Sequence, residues 1–578
     1  MTLRNLIRLK VAAAAEKVAA ENQLQLPESF APRIDYTPDL KFGHYATPVA
    51  MELAKVIRQP PRVIAEKIIA ALEKNFFAKV ELAGAGFINF ILNGEALAQV
   101  GVFSELGEWL AANAAELKKE KIIFEYVSAN PTGPMNIVSA RAASVGDSIT
   151  RLLSVVGHEV HREYYVNDYG NQVEMLGLSF AYRYLQKYKS VALPEHCYQG
   201  EYIIGYLEKL VAANEIPEEI ALSPEKVAAL DEAAWLKKAA EFFAPHGVEM
   251  ILADQKRDLA DFRATFDNFF SEASLHAQGA VLAICETLQK RGKIKLIEGA
   301  KVFTSTEYGD DKDRVVVRSD GRPTYLLADI AYHADKVARG YKTIVDIWGP
   351  DHHGYIARLS GALKALGFGE SADENFRVII AQQVNLLENG EPVVMSKRLG
   401  KFQTMRDLID KIPVDVCRWF FVQRGLSTHL DFDLTLALDQ SKKNPVYYVQ
   451  YAHARIHSIF RECGQPPEKI DLRELATHCT GHAERESLLF WLIRFPELLQ
   501  DISRNYEIQR LPEYLYQTAT LFTVFYHGKG NRIKDLLVVD NAEATALLML
   551  CSLTAQVLAT GLELLGISAP REMHRQED

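Results

Sequence analysis

One segment limits the fold more than any other. It opens with the apolar run IIFEYVSAN (residues 122–130), passes through a turn rich in Pro and Gly, continues as SARAASVGDSITRLLSVVG up to Gly157, and resumes in EVHREYYV. Strand, loop, helix and strand in that order make a βαβ unit, which calls for a parallel sheet covered by helices. In such sheets ligands bind beyond the carboxyl ends of the strands. The stretch ANPTGPMNIVSAR (residues 129–141) sits at that end, with Pro131, Gly133 and Pro134 shaping a backbone suited to lie against phosphate.

Around this unit the chain is long and divides. Its 578 residues exceed what one core serves, so three or four domains are expected. Apolar residues make up 48% and charged residues 24%, as in soluble globular proteins. No apolar run is read as reaching the roughly 20 residues that span a bilayer. The opening MTLRNLIRLKVAAAAEKVAAENQ carries charges within its apolar pattern and predicts an amphipathic helix, not a signal peptide. Cysteines 197, 285, 417, 463, 479 and 551 form no CxxC pair, which argues against structural zinc and a disulfide framework; a cytoplasmic location is expected. A net charge of −10 excludes a surface that grips nucleic acid everywhere, but leaves room for a local basic face.

The pattern predicts a small α+β domain over 1–115, with PPRVIAEKIIAALEKNF as a helix opened by Pro60 and Pro61, and VELAGAGFINFIL as a strand around Gly84 and Gly86. A catalytic α/β domain over 116–390 holds the βαβ unit and a helical, charged insertion at about 175–299. Within it YKTIVDIWGPDHHGY and FRVIIAQQVNLL read as strands, and PTYLLADIAYH as a helix. A glycine-bearing basic loop and connecting segment fill 391–440, and 441–578 is helical.

Four clusters could carry chemistry. In EYVSANPTGP, Ser128 and Asn130 share a strand face, while Glu125 has the opposite parity and joins them only if the strand bends before Ser128. Together they could hold an ammonium group; the plain alternative is a strand end with turn residues. Tyr325 and Asp329, one helical turn apart, present an aromatic plane beside a carboxylate, which suits a guanidinium. In WGPDHHGY, Gly349, Asp351 and His352 follow a strand, where an Asp can take ribose hydroxyls. In VVMSKRLGKF, Lys397, Arg398 and Lys401 near Gly400 make a cationic loop fit for polyphosphate. No residue set is assigned to a metal.

In order and spacing these clusters resemble the class I aminoacyl-tRNA synthetases, and more narrowly arginyl-tRNA synthetases of the bacterial type. The segments SANPTGP, ARAASVGD, YYVNDYGNQV, TYLLADIAYHADK, WGPDHHGY, MSKRLGKF, DFDL and NPVYYVQYAHAR carry the resemblance, which covers essentially the whole chain. It implies a multidomain α/β protein: a Rossmann-like parallel-sheet catalytic domain with a helical insertion, a small N-terminal α+β domain on the tRNA corner, and an all-α anticodon-binding domain. The implied reaction joins arginine to tRNA(Arg) through an ATP-derived arginyl-adenylate, with Mg2+ accompanying the ATP, one chain as the working unit and no membrane. Glu125, Ser128 and Asn130 match positions that hold the amino acid's backbone groups, and Tyr325 and Asp329 those that read its guanidinium. Pro131, Gly133, Asn136, Ser139, Gly349, Asp351, His352, Met395, Ser396 and Lys397 fall where the family holds ATP. Lys397, Arg398, Asn136 and Ser139 are the implied catalytic groups, and Tyr451 and Arg455 meet tRNA.

Two departures stand out. The class motif His-hydrophobic-Gly-His aligns with Asn136, Ile137, Val138 and Ser139, and the first lysine of Lys-Met-Ser-Lys-Ser is Val394. Attack of a carboxylate on phosphorus needs no general base, so Asn136 and Ser139 are expected to serve as replacement hydrogen-bond donors, with Val138 crowding the adenine. A catalytically silent relative that binds tRNA or arginine, and an arginine-activating enzyme with another acceptor, are the competing readings.

Overall fold

Residues 122–124 are fully buried apolar side chains, as a central strand covered on both faces requires. In the computed structural model, which describes residues 1–114, 117–213, 215–368, 375–393, 404–539 and 541–573, they belong to β1 (Lys121–Glu125). Four more strands join it: β2 (Glu159–Val166), β3 (Asn268–Ser271), β4 (Thr343–Trp348) and β5 (Phe376–Ile380). The five form one parallel sheet in the order β5-β4-β1-β2-β3. The chain leaves β1 toward β2 on one side and later returns through β4 on the other. Their carboxyl ends therefore flank a topological switch point, where open α/β sheets hold ligands.

Helix α1 (Ile137–Val155) completes the βαβ unit. It packs close because position 146 is glycine: a Cβ there would collide with the ring of Tyr126, which is fully buried just beyond β1. Helices α2 (Asn171–Leu185), α3 (Tyr202–Ala212) and α4 (Glu232–Asp261) pack around Phe180, Leu207, Trp235 and Phe243 as a core of their own. The segment at about 175–299 is thus not a purely helical insertion. After α4 the chain adds β3 to the main sheet, and Ile294–Ile297 starts a three-stranded antiparallel sheet with Ala300–Phe303 and Arg314–Val317. The four residues NFFS are too short to show periodicity, so the strand was hidden among helices. Helices α5 (Glu272–Ala277) and α6 (Tyr325–Ala338) follow β3 and precede β4. The stretch FRVIIAQQVNLL is likewise two strands, not one: β5 ends at Ile380, and Val384–Glu388 pairs in a separate sheet with Leu430–Asp433.

One compact unit comprises residues 120–150 and 158–438; a second comprises 1–119, 151–157 and 439–578. In the second, Thr2 caps the helix Leu3–Glu21, and Phe77–Ala83 and Phe87–Leu92 form a hairpin. The expected single strand is therefore two, reversed at Gly84 and Gly86, whose φ values of 54° and 138° favour glycine. The C-terminal part is built of helices, among them Pro445–Cys463, Phe495–Asn505 and Asn541–Leu564. The last is long and apolar enough to cross a bilayer, which corrects the expectation from sequence, but 78% of its most apolar window is buried among its neighbours, as in a core helix. The N-terminal part is bound to this bundle through Glu497, which is fully buried and accepts from the Arg4 backbone N–H (2.8 Å) and the hydroxyls of Tyr36 (2.6 Å) and Tyr45 (3.1 Å).

Candidate active site

The parity conflict at Glu125 is resolved by the backbone. β1 stops at Glu125, and Val127 and Ser128 then take φ values of 72° and 39°. A β-branched residue in the left-handed region is strained, of order 1–3 kcal/mol, and such strain concentrates at functional sites. The bend swings Ser128 back so that its Oγ donates to Glu125 Oε1 (2.9 Å) and accepts from Tyr165 N (3.0 Å). Below, the fully buried Lys336 of α6 donates to Glu125 Oε2 (2.7 Å) and to Asp346 Oδ1 of β4 (2.9 Å), while His333 Nε2 lies 2.7 Å from Asp346 Oδ2. Burial alone would push the lysine's pKa down, yet Asp346 and Glu125 outweigh it and hold the ammonium above its usual range. Glu125 is thus a buried carboxylate fixed on both oxygens, beneath a cavity it also lines.

That cavity, about 980 Å³, opens at the carboxyl ends of β1 and β4. It brings together Glu125, Ser128, Asn130, Gly133, Asn136, Ser139, Tyr325, Asp329 and Gly349 of the residues singled out from sequence. Tyr325, at the first turn of α6, is exposed, and Asp329 one turn on accepts from Tyr355 Oη (2.7 Å). Pro131 is buried and does not line the cavity; it shapes the turn from behind. Val138 does not line it either, so the anticipated crowding there is not part of the cavity wall. The backbone of Asp351 and His352 lies in the 3-10 turn Pro350–Tyr355 directly after β4, and their side chains lie outside what the structure describes. Met395, Ser396, Lys397, Arg398, Gly400 and Lys401 lie outside the described residues.

The replaced motif turns out to be a helix cap. Asn136 Oδ1 accepts from Ser139 N (2.9 Å) and from Ser139 Oγ (3.1 Å), the N-cap pattern that satisfies an orphan amide at the start of α1. The Ser139 hydroxyl donates to Asn136 here while Ser139 lines the cavity. The Asn136 amide NH₂ takes no part in the cap. Asn136 also bridges to Thr404, and Met405 N donates to Met135 O (2.9 Å).

Sequence reasoning missed Glu272. It is the first residue of α5, only 3% exposed, and lines the cavity with Asp329 and Tyr355. Burial, with the Asp329 charge adding to it, pushes its carboxyl up to about 7. Recognising NFFS as a strand would have revealed it, since it stands one step beyond that strand's carboxyl end. Tyr451 and Arg455 lie on Pro445–Cys463 in the other unit, where Arg455 Nη2 donates to Tyr451 Oη (2.9 Å) and both line a groove of about 460 Å³ with Ser458 and Arg461.

Comparison with known proteins agrees along the whole chain. Residues 4–92 match the arginyl tRNA synthetase N terminal domain, 106–411 the class I (R) tRNA synthetase catalytic domain, and 449–573 the DALR anticodon binding domain. An arginine–tRNA ligase of Leptospira interrogans is 45% identical over 95% of this chain and 94% of its own length. One from Geobacillus kaustophilus is 40% identical over 99% of both. Among solved structures, a putative arginyl-tRNA synthetase from Campylobacter jejuni is 35% identical with a TM-score of 0.68, covering 82% of this chain and 100% of the other. The Thermus thermophilus arginyl-tRNA synthetase, at 22% identity and TM-score 0.73 over 99% of this chain and 100% of the other, shares the fold.

Proposed function

This chain belongs to the arginyl-tRNA synthetase family, and on that premise we propose how its cavity charges tRNA(Arg) with arginine. The observation that carries the reading is a single cavity in which a buried carboxylate at the end of β1, a carboxylate pair on α5 and α6, and a Pro- and Gly-rich turn at a helix start all converge. Asp329 and Glu272 take the guanidinium, with Tyr325 against its face and Tyr355 orienting Asp329. Glu125, Ser128 and Asn130 hold the α-ammonium. The arginine carboxylate then meets ATP, which lies along the turn, the start of α1 and the Gly349 end of β4.

Chemistry follows by positioning. The carboxylate oxygen attacks the α-phosphorus, the bond to the bridging oxygen breaks, and pyrophosphate leaves. Lys397 and Arg398 neutralise the departing charge, with the Asn136 amide donating from the turn. Mg2+ arrives as part of the nucleotide substrate, held by its phosphates. In the second step a ribose hydroxyl of the terminal adenosine attacks the arginyl carbonyl and AMP departs. Grooves in the other unit take the tRNA: Tyr451, Arg455 and Arg461 on one, and Phe42, Phe87 and Asn89 on another of about 630 Å³ in the N-terminal part. The protein works as a cytoplasmic monomer.

Aminoacylation of transcribed tRNA(Arg), together with ATP–pyrophosphate exchange, tests this. Exchange should require arginine, reject citrulline, and be weak without tRNA(Arg). No arginine-dependent exchange under any tRNA condition would hand the chain to the silent-relative reading.

A further inference from the structure

The turn at 129–133 is held by its carbonyl oxygens. Tyr164 Oη lies 2.8 Å from Ala129 O and 3.0 Å from Gln255 Oε1, so its one proton is shared between two acceptors. Gln255 Nε2 donates to both Asn130 O (3.0 Å) and Gly133 O (2.8 Å), and Tyr202 Oη donates to Thr132 O (2.6 Å). Gln255, on α4, is 1% exposed. Ala129, Asn130 and Gly133 line the cavity whereas Tyr164 and Gln255 do not, so these three carbonyls point out of it.

Electrostatics gives that direction a meaning. A carbonyl oxygen carries partial negative charge, and three of them turned inward would repel a triphosphate. Turned outward, with the peptides trans, they leave the Asn130 N–H on the cavity side. The residues after Asn130 and Gly133 are prolines, which have no N–H to orient.

The same face of α4 makes a second hold three residues on. Asp258 Oδ1 accepts from Arg406 Nε (2.9 Å) and Nη2 (2.6 Å), and Asp261 Oδ2 accepts from Nη2 (2.6 Å). Arg406 stands next to Met405 and Thr404, the two residues tied back to Met135 and Asn136. One end of α4 therefore grips both the turn and the chain that follows the basic loop.

We propose that Gln255 is a positioning residue for adenylate formation: with Tyr164 it keeps the carbonyls of Ala129, Asn130 and Gly133 away from the triphosphate, while Asp258 ties the exit of the basic loop into the same frame. This rests on the reading that the cavity adenylates arginine. Gln255→Leu, close in size, leaves two carbonyls without their donor. In pyrophosphate exchange with tRNA(Arg), kcat should fall roughly 10- to 100-fold and KM for ATP should rise, because a small misplacement of reacting groups is costly. Equilibrium arginine binding without ATP should weaken by a much smaller factor than kcat falls, since the guanidinium end is built on α5 and α6 and, of the ammonium-holding residues, only Asn130 lies on the turn. Tyr164→Phe removes the hydroxyl that bridges Ala129 O and Gln255 without lining the cavity, and should move the same quantities the same way by a smaller factor. It decides the matter alone if circular dichroism shows that Gln255→Leu does not fold. Folded variants with unchanged exchange, or with arginine binding lost as fully as kcat, overturn the proposal. Absence of arginine-dependent exchange in the unmodified chain overturns instead the functional reading beneath it.

Discussion

Asn136 performs two tasks that substitution can separate. Asn136→Ala removes cap and donor together and should cost about 1 kcal/mol of stability in urea unfolding. Asn136→Asp keeps the cap oxygen but has no amide to donate; it should hold stability while slowing adenylate formation more than about tenfold. Unchanged rates in the Asp variant would show that the residue only caps α1. Asp329→Asn removes one charge-assisted bond worth about 1.5–3 kcal/mol, so kcat/KM for arginine should drop roughly 10- to 150-fold. Glu272 adds a pH dependence. Its folded pKa of about 7 is raised, so its contribution to stability is full below the usual glutamate range and lost as pH rises through 7. Guanidinium needs the ionised form, so arginine affinity should run the other way, strengthening roughly tenfold from about pH 6 to about pH 8. Calorimetric titration checks this, and Glu272→Gln should flatten the slope. At this scale Tyr325 and Asp329 were legible because helical spacing is local. Lys336 and Glu272 were not, because Lys336 pairs with Glu125 of β1, more than two hundred residues away, and with Asp346 on a different element, and Glu272 meets Asp329 of α6 across the cavity.

Among elements, long periodic segments read cleanly and short ones did not. α1 and β2 follow their sequence patterns closely, since 19 and 8 residues give periodicity room to show. β3 has 4 residues, and the turns at Gly84 and at 381–383 split what looked like single strands, because alternation alone does not reveal where a chain reverses or changes sheet. The bend that returns Ser128 to Glu125 depends on two left-handed residues, Val127 and Ser128, neither of which advertises that conformation. The α1–β1 contact has its own test. Gly146→Val would force a side chain into the Tyr126 ring, and overpacking of this kind should cost about 1–3 kcal/mol in chemical denaturation. A variant as stable as the parent would mean that Tyr126 can move aside.

For the molecule as a whole, domain-level reading depended on resemblance more than on pattern. What no pattern announced is Glu497, a charge at the centre of the tRNA-contacting unit whose partners Arg4, Tyr36 and Tyr45 lie more than four hundred residues away. Burial pushes its carboxyl pKa up, and Arg4 and the two hydroxyls oppose that shift. Glu497→Ala leaves the Arg4 backbone N–H and the Tyr36 and Tyr45 hydroxyls without their acceptor, while the Arg4 guanidinium keeps Asp501 (2.7 and 2.9 Å), and it should lower the stability of this unit by about 1–3 kcal/mol for each buried donor left unsatisfied. Differential scanning calorimetry should show that loss alongside weaker tRNA(Arg) binding, while calorimetric titration still finds arginine bound. Loss of arginine binding to the same degree would contradict a local role.

The outward-turned carbonyls at 129, 130 and 133 bear on how such a site can change over generations. A side chain disappears with one codon, but a peptide group cannot be mutated away; only its direction can be lost. Where a turn meets its ligand through backbone set from behind, the residues in front are open to drift. Two histidines can then give way to an asparagine and a serine that cap a helix, provided the scaffold behind the turn stays in place.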